Sequence, residues 1–242
     1  MKGNKYRILY AVPGVGLDGR ELFRRKKILN SIASEKFEFD VKAVSEGPEA
    51  IESVYDESMC IPPLLKLLKN YEKDFDGVII GCYGDPGIEA AREILNIPVV
   101  GPGESSMVFA TLLGRRFSVV TVLESVFPII ESVAVRVGVS KKMVSVRDAN
   151  MRVLELGNDT EKSRRKIEEA ALRAIKEDGV DTIILGCMSE AFLGLDKLLS
   201  EKLEIPIVNP VVSSVKVAES MISSGYLHSR IAYPPKEAIL NN

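Results

Sequence analysis

The sequence predicts an α/β fold made of two similar halves, each a parallel sheet covered by helices. Two observations carry this. Asp76-Gly77-Val78-Ile79-Ile80-Gly81-Cys82 reappears as Asp181-Thr182-Ile183-Ile184-Leu185-Gly186-Cys187, and Ile97-Pro98-Val99-Val100-Gly101-Pro102 reappears as Ile205-Pro206-Ile207-Val208-Asn209-Pro210. Around these blocks, short apolar runs alternate with stretches of helical period, the pattern of strands and crossover helices in a parallel sheet.

In the first half the apolar runs are Tyr6–Val12, Phe37–Ala43, Val78–Ile80 and Pro98–Val100. Helical stretches at Glu21–Ile32, Leu64–Tyr71 and Ile88–Leu95 separate them. The second half has runs at Phe117–Leu123, Met143–Val146, Thr182–Leu185 and Pro206–Val208, with helices at Val126–Val137, Thr160–Glu177, Glu190–Lys202 and Val212–Ser223. Each Gly-Cys block is an apolar run opening into a loop, the signature of a buried parallel strand at its carboxyl end. Each Pro-containing block continues through a Ser-Ser pair (Ser105-Ser106, Ser213-Ser214) into a helical pattern. Tyr233-Pro234-Pro235 closes the last helical region and leaves a short tail.

Composition narrows the function classes. At 242 residues, 46% hydrophobic and 27% charged, the chain reads as an ordinary soluble globular protein with ample core. A net charge of −2 gives no electrostatic case for nucleic acid or an anionic membrane. No apolar run approaches the roughly 20 residues that span a bilayer. The start Met1-Lys2-Gly3-Asn4 lacks a signal peptide's apolar segment, so a cytoplasmic location is expected. Three cysteines, an odd number, do not suggest a disulfide framework. The single histidine, His228, argues against a histidine metal site or a Ser-His triad and reads as a surface residue.

Ligands of parallel α/β sheets sit at the carboxyl ends of the strands, where Cys82 and Cys187 lie. Two thiols at equivalent positions of two half-domains suggest a site between them, a thiol on either side. That geometry moves a proton from one face of a carbon to the other. Each cysteine precedes a helical stretch whose free N–H groups favour negative charge, and an acid follows three residues on, Asp85 and Glu190. The spacing resembles a capping box with sulfur at the cap, in which the acid fixes the loop and raises the thiol pKa. Cys60, with no counterpart, reads as core. Gly14-Val15-Gly16-Leu17-Asp18-Gly19 spells a dinucleotide fingerprint after the first strand, with Asp40 at about the required distance. Asp40, however, falls inside an alternating run, and a Gly-rich loop opening a substrate cleft is the preferred reading. The Ser-Ser pairs read first as helix caps, with cleft-facing N–H groups as the functional alternative. Thr121 is placed to hydrogen-bond a ligand. Arg24-Arg25-Lys26-Lys27 reads as a solvated helix face.

Taken together these residues resemble the aspartate/glutamate/hydantoin racemase superfamily, most closely its hydantoin (and allantoin) racemase branch. Gly81-Cys82-Tyr83-Gly84-Asp85-Pro86-Gly87 and Gly47–Glu57 carry the resemblance most specifically, with Gly101-Pro102-Gly103-Glu104 and Leu185-Gly186-Cys187 adding to it. The resemblance implies two pseudo-symmetric lobes, each a four-stranded parallel sheet flanked by helices, with the active site in the cleft between them. The division placed on this chain is residues 1–102 plus 211–242 for one lobe and 103–210 for the other. It also implies cofactor-independent racemisation with Cys82 and Cys187 as catalytic acid and base. Tyr83, Gly84, Met188, Ser189, Thr121, Gly14 and Pro48 are the expected substrate-binding residues, and Asp85 and Glu190 the supporting ones. Neither metal nor cofactor is expected, and the partner is a small molecule, with the protein a homo-oligomer. The Asn-Thr and Cys-Thr pairs of amino-acid racemases are absent at the cysteine positions, which points to 5-monosubstituted hydantoins. Allantoin or free Asp/Glu is the alternative substrate, and maleate isomerase, arylmalonate decarboxylase or a non-enzymatic two-lobed binding protein are the rival functions.

Overall fold

The computed structural model describes residues 5–235. The Met1–Asn4 start and the tail beyond Pro235, both read above, lie outside them. Two four-stranded parallel sheets are present. The first contains β1 (Tyr6–Val12), β2 (Phe37–Ala43), β3 (Gly77–Ile80) and β4 (Val99–Val100) in the order β2-β1-β3-β4. The second contains β5 (Phe117–Thr121), β6 (Met143–Asp148), β7 (Thr182–Leu185) and β8 (Ile207–Val208) in the order β6-β5-β7-β8. The orders match strand for strand, so the sequence repeat is a structural repeat. In both sheets the chain steps to one side of its first strand and then to the other. This creates a crevice at the carboxyl ends of β1/β3 and of β5/β7, the place where such sheets bind ligands.

The strands form because their side chains find apolar cover on both faces. Ile8, Tyr10 and Val12 join one core while the intervening Leu9 and Ala11 join another, the period-two alternation of a covered strand. The second core includes Leu64 and Leu68 of α2 (Val54–Tyr71) and Ala91 of α3 (Ile88–Ile94). In the second sheet Val119 packs with Ile130 and Val133 of α5 (Phe127–Val137), and Val120 faces Ile167, Ala171 and Ala174 of α6 (Thr160–Asp178). The spacing of those α6 positions puts them on one helical stripe. α1 (Gly19–Ile32) begins at Asp18, whose carboxylate accepts the Glu21 N–H.

Two helices cross between the sheets. α4 (Pro102–Leu113) follows β4 of the first sheet yet packs on β7 and β8 of the second. α9 (Pro210–Ser224) follows β8 yet packs on β3 and β4. The two lie against each other.

Several elements differ from the sequence reading. α2 starts at Val54 rather than Leu64: Ser53 caps it by accepting the Asp56 N–H, and it runs through Pro62 and Pro63. The single helix expected over Glu190–Lys202 is two, α7 (Met188–Ala191) and α8 (Asp196–Leu203), because Gly194 adopts φ +69° between them. β5 ends at Thr121, two residues early. The last helix ends at Ser224 with Gly225 in the left-handed conformation, well before Tyr233. His228 is half-buried, accepts the Val99 N–H on Nε2 at 2.8 Å and stacks edge-on against Tyr233, so it is not a free surface side chain. Burial and nearby arginines lower its pKa to about 4.

Candidate active site

Gly81 and Gly186 release the two cysteines from their strands. The Gly81 N–H donates to the Ala11 carbonyl at 2.7 Å, and a Cβ there would sit 2.7 Å from that oxygen and 2.8 Å from the Tyr10 ring. At Gly186 a Cβ would meet the Val120 carbonyl at 2.9 Å. Both loops hug the central strand of their own sheet, and only glycine allows the approach. Cys82 and Cys187 then open into one shared cavity of about 80 Å³. That is space for roughly half a dozen waters, the bulk of a small ring.

Residues from both sheets line it. The first half contributes Gly14, Leu17, Cys82, Tyr83, Gly84 and the segment Glu49–Ile51. The second contributes Thr121, Val122, Cys187, Met188 and Ser189, with Val126, Ile129 and Ile130 from the start of α5 and Val153 and Leu154 from a 3₁₀ turn. Among the described residues Glu49 is the one charged residue in the lining, and no cation is in it.

Most expected binding residues are therefore brought together: Gly14, Tyr83, Gly84, Thr121, Met188 and Ser189 all reach the cavity. Pro48 does not. Its carbonyl accepts the Val15 N–H at 3.0 Å, and the following Glu49 carbonyl accepts the Gly16 N–H, leaving residues 49–51 to line the wall. Those bonds also account for the glycine fingerprint. A Cβ at Gly16 would lie 2.5 Å from the Glu49 carbonyl, so the glycine admits a neighbouring loop rather than a phosphate. Asp40 is tied to Lys26 at 3.0 Å. Thr121 Oγ1 donates to the Gly186 carbonyl at 3.2 Å, so its proton braces the second cysteine loop.

A match to the family model described as Asp/Glu/Hydantoin racemase runs over residues 25–218. Among curated proteins, a hydantoin racemase of Pseudomonas sp. (strain NS671) is 37% identical over 195 residues, covering 79% of this chain and 78% of its own length. A hydantoin racemase of Rhizobium meliloti is 34% identical, covering 78% and 80%. Among solved structures, the allantoin racemase of Pseudomonas fluorescens superposes with a TM-score of 0.89 at 30% identity, covering 95% and 96% of the two chains. The chain belongs to the Asp/Glu/hydantoin racemase family. It is an isomerase.

In this racemase the two thiols differ in their surroundings. Cys187 occupies the N-cap position of α7 without a side-chain capping hydrogen bond, and the Glu190 and Ser189 N–H groups act to lower its thiol. Burial pushes its thiol up to about 11, with the Glu190 carboxyl adding to the rise and Arg25 opposing it. Cys82 is no helix cap. Asp85, with φ 53°, closes a turn by donating its N–H to the Cys82 carbonyl, and α3 begins only after Gly87. One N–H, that of Gly84, faces the Cys82 sulfur. Burial raises this thiol well above its usual value, and the Cys60, Cys187 and Glu57 charges act in the same direction. Cys60 is buried as expected, its thiol raised to about 12.

The two supporting acids also diverge. Asp85 reaches out of its own loop and accepts the Gly103 and Glu104 N–H groups of α4, both at 2.8 Å, and Arg136 Nη2 at 2.8 Å. It caps another helix rather than the cysteine loop. Burial and the Glu104 carboxylate push it up to about 7 against the pull of Arg136. Glu190 is 1% exposed and neither carboxyl oxygen has a partner among the described residues. Burial raises its pKa well above the usual carboxylate range, favouring the neutral form.

Two further readings are corrected. The Ser-Ser pairs neither cap nor face the cavity. Ser105 donates to the Gly101 carbonyl, and Ser214 to the Pro210 carbonyl, each four residues back in its own helix. Asn209 caps α9 itself by accepting the Val211 N–H. Arg25 is not solvated: it is 3% exposed, donates to Glu21 and to Ser189 Oγ at 2.8 Å, and lies over the Phe192 ring.

Proposed function

We propose that this racemase interconverts the enantiomers of 5-monosubstituted hydantoins bearing an apolar substituent, with Cys82 and Cys187 as the acid/base pair. One cysteine, as thiolate, removes the C5 proton; the other, as thiol, protonates the opposite face. The electron pair left at C5 delocalises onto the C4 oxygen as an enolate, and N–H groups of the two cysteine loops stabilise it. Matched thiols suit a reaction that runs equally both ways, because acid and base exchange roles with the direction.

One observation carries the proposal. Two thiols on equivalent loops open into a cavity whose lining holds no cation and is otherwise almost wholly apolar. A free amino acid would bring a carboxylate that meets no cation among the described lining residues and stands beside Glu49, a costly burial. A neutral ring brings none. The named activities of the similar proteins support the reaction type.

The reading includes a lobe division at residues 102/103 and 210/211, a cytoplasmic homo-oligomer, and a small-molecule partner with neither nucleic acid nor membrane. Proton transfer through an enolate requires no metal or organic cofactor, so activity is expected to survive EDTA and exhaustive dialysis. The test is a polarimetric panel of 5-isopropyl-, 5-isobutyl- and 5-benzylhydantoin, allantoin and aspartate. The apolar hydantoins are expected to racemise fastest. Aspartate or allantoin as the preferred substrate would overturn the assignment.

A further inference from the structure

The two cysteine loops share one geometric device with opposite charge. In each, the backbone N–H of the residue two positions after the cysteine acts to lower the thiol, Gly84 for Cys82 and Ser189, with Glu190, for Cys187. Each of those residues also rests against a charged side chain from a flanking helix. Behind Ser189 stands Arg25 of α1, whose Nη2 donates to Ser189 Oγ at 2.8 Å. Behind Gly84 stands Glu57 of α2, whose Oε1 would lie 2.8 Å from a Cβ on that glycine.

The surrounding charges reinforce the difference. Arg24 and Arg25 share the single carboxylate of Glu21, so that cluster keeps a net positive charge beside Ser189. The other acid near Cys187 is Glu190, which burial raises well above the usual carboxylate range and whose charge opposes that of Arg25. The groups whose charge acts on Cys82 are Cys60, Cys187 and Glu57, none of them a cation; burial raises Glu57, and Arg136, bound to Asp85 of the same loop, opposes that rise. Tyr10 lies under both thiols and feels the charge of each, so it favours neither.

We propose that Arg25 and Glu57 are positioning residues that polarise the resting site, so that the first proton lost from the thiol pair leaves Cys187 while Cys82 keeps its own. The cation behind one loop and the anion behind the other make the two charge arrangements of the thiol pair unequal. The free enzyme is then poised for the enantiomer whose C5 proton faces Cys187. This rests on the two-thiol reading, but its test needs no turnover.

The experiment measures alkylation of each cysteine by iodoacetamide across pH 7–10, resolved by peptide mass mapping, in the full-length protein. Cys60, buried, serves as the internal unreactive control. In the wild type, Cys187 is expected to react about tenfold faster than Cys82 at pH 8, since the thiolate is the nucleophile. Arg25→Met should slow Cys187 by about three- to tenfold at fixed pH by moving its profile upward, with Arg25→Lys restoring part of the rate. Glu57→Gln should move the Cys82 profile the other way, by about threefold. A Cys82 that reacts as fast as or faster than Cys187 in the wild type overturns the proposal. So does an Arg25→Met protein that keeps its native circular dichroism and an unchanged Cys187 profile. If Arg25→Met does not fold, the wild-type order and Glu57→Gln decide. Failure of the racemase reading shows separately, as hydantoin racemisation that survives Cys82→Ser or Cys187→Ser while the alkylation order stands.

Discussion

The loops after β3 and β7 begin alike and are maintained differently. Each leaves its strand through a glycine that no other residue could replace, and each delivers a cysteine to the same cavity. Beyond that point the first loop is an open turn anchored at a distance, with Asp85 gripping the start of α4 and Arg136. The second is a short helix with the cysteine at its N-cap position and a buried Glu190 whose carboxyl has no partner among the described residues. Internal repetition placed the two sulfurs symmetrically. The charge around them was free to diverge, and the proposed acid/base pair can use that divergence.

Removing either thiol is the largest test of the symmetry. Cys82→Ser and Cys187→Ser are each expected to lower racemisation by roughly 10²–10⁴-fold, because a hydroxyl is a far poorer base than a thiolate. In deuterated water, each single variant should still exchange the C5 proton of one enantiomer, and the two should prefer opposite enantiomers, after subtraction of spontaneous exchange. Racemisation near the wild-type rate in either variant would break the pairing.

The pH profile sharpens it next. Both thiols lie above their ordinary pKa, Cys187 at about 11, so the thiolate is scarce at neutral pH and grows tenfold per pH unit below that value. The enzymatic kcat/KM should therefore climb from pH 7 toward pH 10 and fall once the second thiol also loses its proton. A flat profile across that range would show that substrate binding, not the free thiols, sets the proton balance.

The two acids offer a comparison in stability. At pH 8, Asp85→Ala strands two N–H groups and Arg136 and is expected to cost about 3 kcal/mol in urea denaturation. Glu190→Gln should act in the opposite direction and more weakly. The folded pKa of Glu190 is raised, so its stabilising contribution is complete below the unfolded value and is lost as pH rises above it. Gln does not ionise in the unfolded chain, so the variant should melt higher than wild type at pH 7.5 and lose that advantage by pH 4. Equal penalties for both substitutions would contradict the divergence of the loops.

Much of this architecture was legible in the residues because buried parallel strands are continuous apolar runs. Tyr6–Val12, Phe37–Ala43 and Thr182–Leu185 match the structure end to end for that reason. The helices were less legible where local and tertiary signals conflict. Pro62-Pro63 hid the first half of α2, and Gly194 split a stretch that otherwise has helical period. The cysteines were readable because repetition marks them. Ile129, Ile130, Val153 and Leu154 were not, since an apolar wall residue looks like any core residue until the halves are assembled. Arg25 was missed because it sits in a basic run whose neighbours Lys26 and Lys27 are ordinary surface residues. The position of Phe192 and Ser189 against α1 is what buries it, and that contact spans 164 residues of sequence.

The exchange of α4 and α9 between the sheets bears on how the molecule is made and how its halves are held. A chain stopped at residue 101 would have all four strands of the first sheet and lack α9, the helix that covers β3 and β4. Neither half is then a self-sufficient folding unit. Sheet one is completed only when the last long helix has been synthesised, so long-range docking closes the folding reaction and makes it slow for a protein of this size. Once docked, α4 and α9 are strapped to opposite sheets and to each other. Each sheet is thereby tied to the helix that follows the other, and the two cysteine loops are held across one cavity.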